Sequence, residues 1–117
     1  MAAAIHNITI EQGATFVFNL TWKDSLGSPV DLTGYKARMQ VRTKHSAPVA
    51  LLDLSTDEGS ITLGGATGQI NCRAEATETT GMPAKTGVYD LELEDITGFV
   101  TRLVEGEATI TPEVTRA

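Results

Sequence analysis

Asp90, Glu92 and Glu94, with Asp95 directly behind them, are the densest group in the chain with the means to do chemistry. On an extended backbone the first three share one face at intervals of roughly 6–7 Å. Such a row suits a divalent cation if Asp57 or Glu58 folds back onto it, because calcium takes six to eight oxygens. It equally suits an outward polar face opposed by Arg38, Arg42 or Arg102 on neighbouring strands. Glycoside hydrolysis needs two carboxylates across a sugar-binding cleft. With one Trp, two Tyr and three Phe, the chain has little left to stack a sugar.

The other reactive side chains are scattered. His6 and His45 fall in segments that read as exposed, and Cys72 follows the apolar Ile70 by two positions, as a buried thiol would. A reactive thiol needs a base or a helix N-terminus to lower its pKa. No serine lies in a nucleophile-elbow pattern. Gly64-Gly65-Ala66-Thr67-Gly68 lacks the Lys-Ser/Thr of a phosphate loop and opens no helix. The expectation is therefore a structural or binding module with no catalytic residues, no cofactor and no metal.

The elements that must carry these residues alternate with a period of two, the mark of strands with one buried face. Over 15–23, Phe16, Phe18, Leu20 and Trp22 point one way, and Thr15, Asn19, Thr21 and Lys23 the other; only Val17 breaks the polar face. Over 35–43, Tyr35, Ala37, Met39 and Val41 oppose Lys36, Arg38, Gln40 and Arg42. Further strands are expected at Ala50–Leu54, Ile61–Leu63, Gln69–Arg73 and around Tyr89, Leu91 and Leu93. Phe99–Glu105 and Glu107–Thr111 read as two more, separated at Gly106 by a bulge or break. Ile5, Ile8 and Ile10 outline a first edge strand. Helix is expected at most for one turn over Glu75–Thr80. Strands about every 10 residues with turns between them predict an all-β fold: an immunoglobulin-like antiparallel β-sandwich of seven or eight strands.

At 117 residues the chain fits one domain, spanning 1–117, with 1–4 and 112–117 as flexible or partner-binding tails. Nine Lys and Arg against 15 Asp and Glu give a charge of −6, which argues against nucleic acid and against anionic membranes as partners. No apolar run approaches the roughly 18 residues that cross a bilayer. A lone cysteine excludes an intrachain disulfide. The start MAAAI lacks the features of a signal peptide, so Asn7-Ile8-Thr9 and Asn19-Leu20-Thr21 read as chance sequons.

Several phrases resemble a family of small virion proteins of tailed bacteriophages and their prophages. They are Gly13-Ala14-Thr15-Phe16, Leu20-Thr21-Trp22-Lys23-Asp24, and the run from Gly27 to Tyr35 with Ala37-Arg38-Met39-Gln40-Val41-Arg42. The stretches Gly87–Leu93, Val100–Gly106 and Thr111–Arg116 extend the likeness from about residue 8 to residue 116. The Asp31-Leu32-Thr33-Gly34-Tyr35 turn with its following strand also looks like the N-terminal domain of phage baseplate upper proteins. Residue by residue these phrases have fold explanations. Asp31 caps a turn, Gly34 supplies a backbone angle closed to other residues, Trp22 and Tyr35 fill the core, and Tyr89 sets its hydroxyl on a loop carbonyl.

The resemblance implies a non-enzymatic virion structural protein, made in the bacterial cytoplasm and located in the phage particle. It would act as a tail, collar or baseplate adaptor in multiple copies, with other phage structural proteins and itself as partners. The alternatives are a receptor- or carbohydrate-binding module of a tail fibre, using Ser25–Pro29, Gly64–Gly68 and Thr79–Lys85, and a head decoration or head–tail completion protein. Contact would run through edge strands and the segments 1–10, 44–49 and 107–117. The candidate contact residues are Ile5, Ile8, Ile10, His45, Ile110 and Val114; the same isoleucines could instead close their own sandwich.

Overall fold

The alternating segments form two facing β-sheets in the computed structural model, which describes residues 3–115. The larger sheet is built on β9 (Val100–Thr111), β8 (Thr86–Glu94), β4 (Lys36–Arg42) and β5 (Leu52–Ser55), each antiparallel to the next. β1 (Ala4–Ile5) and β2 (Ile8–Glu11) both run parallel along the outer edge of β9. The smaller sheet places β7 (Gln69–Ala74) between β3 (Phe16–Thr21) and β6 (Ile61–Leu63), all antiparallel. With β1 and β2 counted as one interrupted strand, the described residues form eight strands.

The inward rows of both sheets make the core. Met39, Val41, Leu54, Ile70, Cys72, Leu91 and Leu93 are essentially inaccessible to solvent. Trp22 and Tyr35, expected inside, are half-buried; their rings meet edge to face, 6.0 Å apart, at the end of the core. One helical turn, α1 (Ala76–Thr79), forms where expected, closed by reciprocal bonds between Glu75 and Glu78. Its buried Thr79 donates to the Ala14 carbonyl at 2.8 Å and so ties the turn to the start of β3.

Gly106 has a different role from the expected one. β9 runs through it without a break, and the register shift lies opposite Leu91 and Glu92, where Leu103 is the extra residue. A Cβ on Gly106 would lie 2.5 Å from the His6 carbonyl oxygen and 2.8 Å from Asn7 Oδ1. The glycine is required because the interrupted first strand bends directly over it.

Asp31 and Gly34 behave as expected. Asp31 Oδ1 accepts from the Thr33 amide and hydroxyl, and Gly34 has φ +84°. The β8–β9 turn repeats the pattern: Asp95 Oδ1 accepts from the Thr97 amide and hydroxyl, and Gly98 has φ +91°. Asp-Leu-Thr-Gly and Asp-Ile-Thr-Gly thus turn the chain into β4 and β9 in the same way.

Candidate functional site

The carboxylate row lies on the outer face of the larger sheet, where Arg102 of β9 occupies it. Its guanidinium stands 3.5 Å from Asp90, 4.0 Å from Glu92 and 3.3 Å from Glu105. Beside it Arg38 meets Asp53 at 3.5 Å, and Gln40 donates to the same carboxylate at 3.1 Å. Arg42 donates instead to Gln40 and to the Ala47 carbonyl, both at 2.8 Å. Asp57 and Glu58 share an open polar groove of about 470 Å³ with Glu92 and Glu94, but Lys36 and Arg38 line it too. Among the described residues no three ligand side chains are grouped to hold a metal. Solvent-exposed pairs of this kind hold a face in register and add about 0.2–1 kcal/mol each.

The scattered groups stay apart in role. Cys72 is buried, and desolvation pushes its pKa up to about 12, so the thiol is protonated and inert at neutral pH. His45 is exposed in the 44–49 loop at the rim of a small recess with Arg42, Asp90 and Glu105. His6 is exposed as well, but its ring stacks on Phe18 with centroids 5.6 Å apart and planes 8° from parallel. Tyr89 donates its hydroxyl to the His6 carbonyl, the role expected of it, and burial chiefly pushes its pKa up to about 12.

The candidate contact residues divide. Ile8, Ile10 and Ile110 are corrected to core positions: β2 and the end of β9 turn them inward, where they are at most 7% exposed. Packing of the first strand against its own sandwich consumes them. Ile5 at 72% and Val114 at 93% are exposed, as is His45. Sequence reasoning missed the apolar tip of the β8–β9 hairpin, where Ile96, Phe99 and Val100 are exposed. It also passed over Val17, which is 53% exposed. The signal for Val17 was its place on an otherwise polar strand face.

An apolar concavity lies beside that strand. A groove of about 310 Å³ opens between β3 and the β1–β9 edge, walled by Phe18, Leu20, Trp22, Leu103 and the His6 ring. Phe18, Leu20 and Trp22 remain half-buried because the two sheets gape here. Among the described residues, β3 pairs with β7 alone. The Trp22 amide donates to Gly68 and its carbonyl accepts from Val30, both on the β7 side. Backbone groups alternate in direction along a strand, so those of Val17, Asn19 and Thr21 face the open edge. Phe16–Thr21 contains no charge, proline or bulge. Those are the devices by which edges are ordinarily protected.

No family model and no curated protein matches the sequence. A solved structure that is similar over 97% of both chains, at TM-score 0.50 and 12% identity, contains extracellular domains of the voltage-gated sodium channel beta4 subunit. Its parallel homodimers explain that subunit's role in cell–cell adhesion. These findings overturn the resemblance to phage virion and baseplate proteins, and with it the location in a phage particle: no phage family is matched, and the structural likeness is to an extracellular domain. Short strand–turn–strand phrases recur in unrelated sandwiches because they encode the fold. The chain forms an immunoglobulin-like β-sandwich.

Proposed function

We propose that this protein is a non-enzymatic structural module that associates in multiple copies, through surface complementarity at a sheet edge. The observation that carries this reading is the unprotected edge of β3 beside an open apolar groove. Unpaired backbone donors and acceptors next to desolvatable apolar surface are what strand-addition sites consist of. The groups with chemical potential support the same reading, since Asp53, Asp90 and Glu92 are paired with arginines and the thiol is buried. The architecture also suits self-association, as the homodimers of the sodium-channel subunit illustrate for that protein. Sedimentation equilibrium of the purified protein over a wide concentration range tests it. Mass-action formation of a dimer or larger oligomer is expected; a monomer at every concentration overturns the reading.

A further inference from the structure

We propose that the partner at the open edge is β3 of a second copy, paired antiparallel across a two-fold axis at Asn19. The inference rests on the self-association reading above and adds the surface, the strand and the register. The segment Val17-Phe18-Asn19-Leu20-Thr21 is a palindrome in character: two β-branched residues of similar shape outside, two large apolar residues within, and an amide at the centre. An antiparallel pairing centred on Asn19 sets Val17 against Thr21 of the second copy, Phe18 against Leu20, and Asn19 against Asn19.

Backbone direction selects that register. Val17, Asn19 and Thr21 are the residues whose amides and carbonyls face the open edge, and this pairing matches all three with their counterparts. It forms about six main-chain hydrogen bonds and joins two three-stranded sheets into one. Inward-facing Phe18 and Leu20 of each copy then lie over the mouth of the groove and cover what a lone sandwich leaves half-wet. On the outer face the two central Asn19 amides meet across the axis, where each offers both a donor and an acceptor.

Charge permits a second copy at this sheet. The chain carries −6, and two copies meeting by an acidic surface would repel. The smaller sheet avoids this, because β3 and β6 contain no charged residue and β7 only Arg73. The larger sheet bears the row of Asp90, Glu92 and Glu94. The remaining edges fit less well: β6 has three residues, β5 has four with Asp53 among them, and the first strand is interrupted between β1 and β2 and ends on Glu11.

The test combines Asn19→Cys with Val17→Lys, both at exposed positions that leave the core intact. Hydrogen-bonded antiparallel partners have Cα atoms roughly 5.5 Å apart, within the roughly 4.4–6.8 Å that a disulfide spans. Under mild oxidation Asn19→Cys is expected to yield a covalent dimer, while Val17→Cys, whose partner is Thr21, yields none. Cys72 is buried and does not compete. Val17→Lys is expected to weaken the dimer about tenfold or more in sedimentation, with an unchanged thermal midpoint at low concentration. An oligomer that survives Val17→Lys, together with an Asn19→Cys protein that does not cross-link, overturns this inference and leaves self-association standing. A wild-type monomer at every concentration overturns both.

Discussion

The Tyr89 hydroxyl donates a hydrogen bond to the main-chain carbonyl of His6, across 83 residues of sequence. The bond holds the bend between β1 and β2, where the edge ladder lapses for two residues. Around it, the His6 amide donates to Glu105 at 2.9 Å and Asn7 Oδ1 accepts from the Glu107 amide at 3.0 Å. Three bonds and one glycine thus position the first strand. Its bend lays the His6 ring on Phe18 at the groove wall.

Tyr89→Phe removes one donor and leaves the rest of the ring packed. The expected loss is about 1–2 kcal/mol of unfolding free energy. Amide exchange should show the loss most strongly in β1 and β2, because the bond joins them to β8. Denaturant titration with exchange by NMR checks both parts.

Gly106→Ala should be worse than a methyl group suggests. The added carbon meets a carbonyl oxygen of the first strand at 2.5 Å, so the bend must lift from β9. A loss of about 1–3 kcal/mol is expected, read from the shift in urea midpoint. Gly81→Ala, where an added Cβ meets nothing, is the matched control.

Arg102→Ala should cost little. Its three carboxylate partners are all partly solvated, and the arginine side chain is itself 52% exposed. The expected loss is about 0.5–1 kcal/mol at low ionic strength, shrinking as salt is added. A comparison of thermal midpoints at two salt concentrations measures it.

Stability should decline on the alkaline side. Burial raises the Cys72 pKa from 9.0 to about 12 and the Tyr89 pKa from 10.0 to about 12. The folded state therefore keeps protons that the unfolded chain releases, and this stabilisation is complete below pH 9 and lost as pH climbs toward 12. Cys72→Ala should flatten the decline between those limits in chemical denaturation followed against pH. The thiol of the native protein should react with alkylating reagents only on unfolding.

On the acid side, Asp31 and Asp95 should titrate below the ordinary carboxylate value of 3.8, held down chiefly by the hydroxyls of Thr33 and Thr97. The stabilisation is present above that value and fades as pH falls through the depressed pKa of each. Carboxyl-carbon NMR titration checks the direction, and Thr97→Val should move Asp95 back up.

Much of this fold was legible in the residues. Period-two alternation located β3 and β4 to within two residues and β8 from Tyr89 onward, three residues after its start, because burying one face of a sheet imposes that period. Ile61–Leu63 and the glycine-rich hairpin after it were placed directly by turn chemistry. Gly106 was misread, since a glycine within a strand pattern signals equally a bulge or a close approach, and the approaching chain lies 100 residues away. Ile8, Ile10 and Ile110 could not be assigned to core or contact from composition, as the same side chain serves both. The groove was illegible for a related reason: Phe18 and Trp22 carry the pattern of core residues, and only the gap between the sheets leaves them half-covered. The short phrases that suggested a phage family encode turns and strands, and turns and strands are common property of sandwiches.

Pairing the first strand with the last has a consequence for biosynthesis. Asn7 cannot meet Glu107 until the ribosome has added 100 residues, which at roughly 5–20 residues per second takes about 5–20 s. Throughout that interval β1 and β2 lack the strand they pair with, and Ile8 and Ile10 stay uncovered. Chaperone engagement during translation should therefore concentrate on this segment, and release should coincide with emergence of the final strand.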